Sequence, residues 1–186
     1  MTFGAFDIMN ANAQLKVKNA ATLTIGESGM DSTFNGVFSN AKMTVVKNGT
    51  GKLTIGSGFA AVEGSSISVN SGTLEWNRSS ATIDGVSLTI ASGVKLAGAG
   101  VFGDVDLSVN DVVAPALTAE TDKTTEFTLL TATSITGTSA TMTALLETVN
   151  DGDAHGKWKL VKKANGDGTV TLKCVYSKNA FVIVLR

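Results

Sequence analysis

One phrase recurs along this chain: a short strand of alternating apolar residues, a Gly or Asn corner, then a second short strand. It is plainest between Lys42 and Gly98, in KMTVVKNGTGKLTIGSG, SISVNSGTLEWN and SLTIASGVKLAG. The phrase returns about every 21 to 22 residues, the period of one turn of a wound β-structure. A unit this short cannot bury its own apolar face, so each copy must stack on the next.

The alternation names the core. Leu15 and Val17 are followed, after an Asn19-Ala20 turn, by Leu23 and Ile25. Side chains two apart share one face of a strand, so all four are expected inside. Val45 then leads to Leu53 and Ile55, Ile67 and Val69 lead to Leu74 and Trp76, and Leu88 and Ile90 lead to Leu96. Matching the leucines at 23, 53, 74 and 96 gives steps of 30, 21 and 22. The long first step predicts an inserted loop near 29–40 (GMDSTFNGVFSN). A shorter fifth phrase, Val105-Asp-Leu107-Ser-Val109, follows, and residues 1–14 read as a lead-in over the first open end. With 20 glycines, one proline and only 17% charged residues among 186, the chain reads as all-β with many tight turns.

After Pro115 the pattern changes, which divides the chain into solenoid coils at 1–115 and a C-terminal antiparallel β cap at 116–186. Ala116–Thr125 is a polar connector, and Phe127–Ile135 a strand. Met142, Leu145, Leu146 and Val149 have helical spacing, with Ser139 placed to cap the start and Gly152 the end; the threonines leave a strand open. Asn165-Gly166-Asp167-Gly168 between two alternating runs is a hairpin signal, and Phe181–Leu185 is a last strand. A cap is expected because a bare solenoid end is an open sheet edge.

Charge and length exclude several classes. Net charge is −1 with both signs interspersed, so no basic face points to nucleic acid. No apolar run reaches bilayer length, so no membrane insertion is expected. Cys174 is the only cysteine, which rules out an intrachain disulfide. The first fourteen residues carry no basic region followed by a long apolar core, so an export leader is expected to lie outside this chain.

The run NGTGKLTIGSG, then SISVNSGTLEW, then VKLAGAGVFGDVDL, resembles the passenger-associated β-strand repeat of autotransporter-type proteins. Gly49, Gly51, Leu53, Gly56, Gly72, Thr73, Leu74, Leu96, Gly98, Gly100 and Gly103 occupy the places of that repeat. The tail, FTLLTATSITG and KWKLVKKANGDGTVTLKCV, is similar to the closing segment of large bacterial secreted proteins that carry such repeats. The resemblance implies a right-handed single-stranded β-helix, secreted or displayed by a bacterium, with an adhesive or scaffolding role. Two features depart from it: no membrane barrel follows, and the last residue is Arg186 rather than an aromatic. The chain is then either a C-terminal portion of a passenger-like protein or exported by another route.

Residues with chemistry are few. His155 is the only histidine, so His-based metal clusters and most triads are excluded. Cys174 falls at an inward strand position, which predicts an inert thiol. Asn150–Asp153 and Asp167-Gly168 have oxygen ligands and sharp turns, yet lack the spaced calcium loop ending in Glu. Thr-x-Thr pairs such as 22/24 and 141/143 do not recur at the solenoid period, which argues against an ice-binding array. Asn48-Gly-Thr50 and Asn77-Arg-Ser79 match glycosylation sequons but suit turns equally. Trp76 and Trp158 fall in line with inward aliphatics and are expected in the core. Asp104 and Asp106 share a face and could pair in a β-helix lyase or glycosidase, with Glu63 as a further carboxylate. Only Arg78 and Lys95 supply basic groups between positions 53 and 122, which weighs against that reading. Recognition is placed instead on the 29–40 loop, at Phe34, Asn35 and Phe38.

The expectation is therefore a non-enzymatic extracellular or cell-surface β-solenoid without cofactor or metal, structural or adhesin-like. Its partners would be host or matrix glycans or proteins, or other copies of itself. The alternatives are a polysaccharide-acting β-helix enzyme and a self-assembling fibre or scaffold subunit.

Overall fold

A computed structural model describes residues 1–117, 125–151 and 156–178. Over these residues the chain is nearly all β, wound as a solenoid of about four turns. The first turn holds β1 (Thr2–Phe3), a bridge at Ile8 and β2 (Gln14–Lys16). The second holds β3 (Ala21–Ile25), β4 (Ser32–Phe34) and β5 (Val37–Ser39), and the third β6 (Met43–Lys47), β7 (Lys52–Ile55) and β8 (Ala60–Ala61). Then come β9 (Ser65–Val69) and β10 (Thr73–Trp76), followed by β11 (Val86–Ile90), β12 (Lys95–Ala97) and β13 (Val101–Asp106). Beyond them lie β14 (Asp111–Val112), β15 (Glu126–Thr136), α1 (Ala140–Asn150), β16 (Gly156–Ala164) and β17 (Val170–Lys178).

Corresponding strands of successive turns pair in parallel. The first sheet runs β1-β3-β6-β9-β11, the second β4-β7-β10-β12-β14, and the third β2-β5-β8. Inward side chains stack in register, as Leu23 on Val45 on Ile67 on Leu88 in the first sheet. Leu53, Leu74 and Leu96 stack in the second. These ladders, with Phe34, Phe38, Phe59 and Trp76, make a continuous core.

Two expectations are corrected here. Leu23 aligns with Val45 in the first sheet, not with Leu53 in the second. The partner of Leu53 in the turn below is Ser32, so the period is regular and residues 29–40 are no insertion. That stretch forms β4 and β5, two sides of an ordinary turn. Ser32 is fully buried, and its hydroxyl accepts from the Phe6 N–H at 3.0 Å. A serine thus fills a leucine position because it satisfies a main-chain donor of the irregular first turn. The lead-in, likewise, is that first turn: β1 pairs with β3, and Phe6 packs edge-on against Phe34.

The fifth phrase only begins as a strand: Val105 and Asp106 end β13, the third side of the turn that holds β11 and β12, and Leu107–Val109 turn away. Its strand β13 pairs in parallel with β15, and β15, β17 and β16 continue as an antiparallel sheet. One sheet therefore spans position 115. The Asn165–Gly168 stretch joins β16 to β17 as a hairpin, with Ala164 opposite Val170, and Phe127, Trp158 and Tyr176 stack along the sheet. The helical reading of 139–151 holds: Ser139 caps α1 by accepting from the Met142 N–H, and Met142 and Leu146 are buried. Gly152 and the Phe181–Leu185 strand lie outside the described residues, as does most of the 116–125 connector.

Asp111 ties this helix to the solenoid. Its carboxylate accepts from the Ser139 hydroxyl, from the Thr141 N–H at 3.1 Å and from the Val112 N–H at 2.8 Å. Burial opposes its charge, but these hydrogen bonds together prevail and hold its carboxyl below the usual range. A carboxylate at a helix start also meets the positive end of the macrodipole. Asp111→Asn, which swaps one acceptor for a donor, is expected to cost about 1–2 kcal/mol at neutral pH. Because the folded pKa is depressed, that contribution is fully present above the unfolded carboxylate pKa and lost as pH falls through the folded one. Denaturant titrations should show the gap between wild type and variant closing below about pH 4. A gap that persists at lower pH would mean that the charge is not what anchors the helix.

Candidate functional site

The outer surface of the first sheet is the most regular feature the fold exposes. Strand alternation turns Thr22, Thr44, Ser66 and Ser87 outward in one column. A second column holds Thr2, Thr24, Val46, Ser68 and Thr89. Eight of these nine side chains are hydroxyls and none is charged. Rows lie about 4.8 Å apart between turns and about 6.7 Å apart along each strand. The Ser66 hydroxyl donates to Thr44 Oγ1 at 3.5 Å. The outer face of the second sheet is different in kind, with Lys52 and Glu75 paired at 2.5 Å and Lys95 beside Thr73. The Thr-x-Thr pair at 22/24 does not itself recur at the solenoid period, as expected; its register counterparts are Thr-x-Val, Ser-x-Ser and Ser-x-Thr, so what recurs is the hydroxyl. Counting threonine alone hid the array, because serine takes half of one column.

The recognition residues expected on a loop sit elsewhere. Phe34 and Phe38 are 0% and 1% exposed, and their rings pack on each other and on Phe59. Asn35 is half-buried at the corner between β4 and β5. Its Oδ1 accepts from the Gly58 N–H at 2.9 Å and its Nδ2 donates to the Met9 carbonyl at 3.2 Å, clamping three successive turns. Both sequon asparagines are clamps of the same type. Asn48 Oδ1 accepts from Asn70 Nδ2, and Asn77 Oδ1 accepts from the Ala99 N–H.

Each carboxylate expected to pair is engaged by its own set of hydroxyls. Asp104 accepts from the Ser134 and Thr133 hydroxyls at 2.6 and 3.1 Å, which hold its carboxyl below the usual range. Asp106 accepts from the Ser108 hydroxyl and N–H at 2.6 and 2.9 Å, with the same effect. In both cases the hydroxyl donors stabilise the charged form. Asp104 lines a cavity of about 400 Å³ with Trp76, Ile83, Leu88, Ile90 and Phe102. Asp106 and Glu63 do not.

Trp76 and Trp158 are core residues, at 1% and 2% exposure. Cys174 is buried, and desolvation pushes its thiol up to about 11. Asp167 spends its carboxylate on the Thr169 N–H and hydroxyl within the hairpin turn. His155 and Asp153 lie outside the described residues, and among the described residues no three His, Cys, Asp or Glu side chains gather as a metal site would require.

One buried cation escaped the sequence reading. Lys47 stands in an inward column between Ile25 and Val69 and is 0% exposed. Its Nζ donates to the carbonyls of Asn48, Gly49 and Ser71 at 2.7, 3.1 and 3.4 Å. Burial lowers its pKa, against the opposing pull of Asp31. It serves as an internal clamp between two corners. Comparison with protein-family models, curated proteins and solved structures found no match for this chain.

Proposed function

We propose that this chain is a non-enzymatic structural or adhesin-like β-solenoid segment of a bacterial secreted or surface protein, as its resemblance to autotransporter-type passengers implies. The observation that carries the reading is the uncharged hydroxyl face of the first sheet. A flat array of donors and acceptors at fixed spacing suits many weak contacts to a neutral hydroxylated surface such as a matrix glycan, and summed contacts give avidity. The right-handed winding and the capping role of the C-terminal sheet belong to the same reading.

The test is binding to immobilised neutral glycans and matrix proteins, run beside a turnover assay on soluble polysaccharides. Binding is expected to fall when Thr44→Lys and Ser66→Lys set charges into the array, and to survive Asp104→Asn with Asp106→Asn. Turnover that disappears on Asp106→Asn would overturn the proposal in favour of a polysaccharide-acting enzyme.

A further inference from the structure

The last described turn of the solenoid is hollow. Inward residues of its three sides, Leu88 and Ile90 on β11, Leu96 on β12 and Phe102 on β13, surround the cavity of about 400 Å³, with Trp76 from the turn below. Leu88 and Ile90 are half-buried, whereas their register partners Ile67 and Val69 are 1% and 0% exposed. Asn110 closes one end, its Nδ2 donating to the Ala91 and Val94 carbonyls at 2.8 and 3.3 Å. At the other end lie Ile83, bridged to Val86, and the Gly103-Asp104 pair. The rim is open there: a Cβ on Gly103 would meet nothing within 4 Å. Phe102 and Val105, three residues apart, are both buried, so strict alternation breaks between them, at Gly103 and Asp104. Asp104 is the only charged residue among the described residues of the lining. The Ser134 and Thr133 hydroxyls both donate to its Oδ1, and its Oδ2 receives no hydrogen bond from a described residue.

We propose that this cavity binds a small organic cation, an amine whose apolar body enters the last turn and whose ammonium meets Asp104 Oδ2. Small-molecule sites are concave, mostly apolar and about 300–1,000 Å³ in volume, with a few polar groups that fix orientation. The lone carboxylate sets the sign of the ligand. An ammonium gains a charge-assisted hydrogen bond there, a neutral head gains less, and an anion is repelled. Trp76 and Phe102, with ring centroids 6.2 Å apart, offer aromatic surface that suits a flat ring. A diffusible occupant is favoured over this chain's own segments by the layout of the C-terminal sheet. Asp104 is level with Ser134, nine residues along β15 from Thr125, which is roughly 30 Å at the rise of a strand. Lys178 lies toward that same far end, eight residues beyond Val170, which is level with Ala132 and Phe102.

The probes are naphthylmethylamine, naphthylmethanol and naphthoate, which share one apolar body and differ in the charge of the head. Calorimetric titration of the full chain at neutral pH is expected to show saturable binding of the amine, about tenfold tighter than the alcohol. Naphthoate should bind more weakly than either. In NMR spectra of the same titration the Trp76 indole and the Ile90 methyl groups should shift, while the Trp158 indole, outside the cavity, stays in place. Asp104→Asn should lower the amine to the affinity of the alcohol, and Asp106→Asn, off the cavity, should change it by less than about twofold. Leu88→Phe, which fills the cavity without touching Asp104, should abolish binding of amine and alcohol alike. Circular dichroism checks that it folds; if it does not, Ile90→Phe takes its place. Absence of saturable binding, which is the result if the chain's own residues occupy the cavity, would overturn the proposal. So would naphthoate binding as tightly as the amine, or amine binding indifferent to Asp104→Asn or to the filling variant.

Discussion

Leu74→Asp is expected to abolish cooperative unfolding. Leu74 is 0% exposed and stacks between Leu53 below and Leu96 above. Removing a buried leucine side chain costs about 2–5 kcal/mol by itself. The carboxylate would add several kcal/mol more, since its register neighbours Leu53 and Leu96 offer it neither a cation nor a donor. Against a total stability of about 5–15 kcal/mol, the sum leaves little or no folded population. In a solenoid the damage also spreads to both neighbours, because each turn rests on nearest-neighbour interfaces. Thr44→Asp places the same carboxylate on the exposed outer column and should change stability by no more than about 0.5 kcal/mol. Thermal and denaturant melts of the two variants test the register directly. A wild-type melting curve for Leu74→Asp would remove Leu74 from the core and the ladder with it.

That contrast also explains how much of the fold could be read in advance. Where both members of a corner-flanked pair are aliphatic, as at Ile67/Val69 and Leu74/Trp76, alternation alone identified the inward face and the period. Ser32 hides its strand, because a serine in a leucine column looks like a turn residue. Matching leucine to leucine therefore pairs Leu23 with the wrong sheet and calls for a loop where the chain forms β4 and β5. The signal that would have prevented the slip was present: Ser32-Thr-Phe34 and Val37-Phe38-Ser39 have strand alternation and flank an Asn-Gly corner. Phe34 and Phe38 were then assigned to a surface that does not exist.

Site features were less legible, for a physical reason. The hydroxyl array depends on which residues share a column, and that depends on register between turns, which a local pattern does not carry. The buried position of Lys47 depends on carbonyls from two corners meeting around its ammonium. Each is a relation between turns. Asp104 and Asp106 show the converse, since their shared face was read correctly, yet the hydroxyls that engage them come from β15 in one case and a local turn in the other.

Relations between turns also set the second large effect, at the corners. Gly49 has φ +70°, and a Cβ there would overlap the carbonyl oxygen of Gly26 in the turn below. Gly93 has a similar φ of +83°, but a Cβ there meets nothing within 4 Å. Both positions disfavour an L side chain for backbone reasons worth about 1–2 kcal/mol. Only Gly49 adds an atomic clash, and its neighbour is main chain rather than the end of a flexible side chain. Relief would require the two turns to separate, stretching strand spacing beyond about 4.8 Å and weakening the ladders on either side. Opening the corner would also disturb the carbonyls of Asn48 and Gly49 that hold the Lys47 ammonium. Gly93→Ala is therefore expected to cost about 1–2 kcal/mol, and Gly49→Ala at least about 2 kcal/mol more, on the scale of overpacking in a close-packed interior. Comparing the two by denaturant melts separates the φ penalty, which they share, from the stacking penalty, which only Gly49 carries. Equal losses would mean that the turns can part at this corner without cost, and that the ladders rather than the corner contacts determine how closely the turns stack.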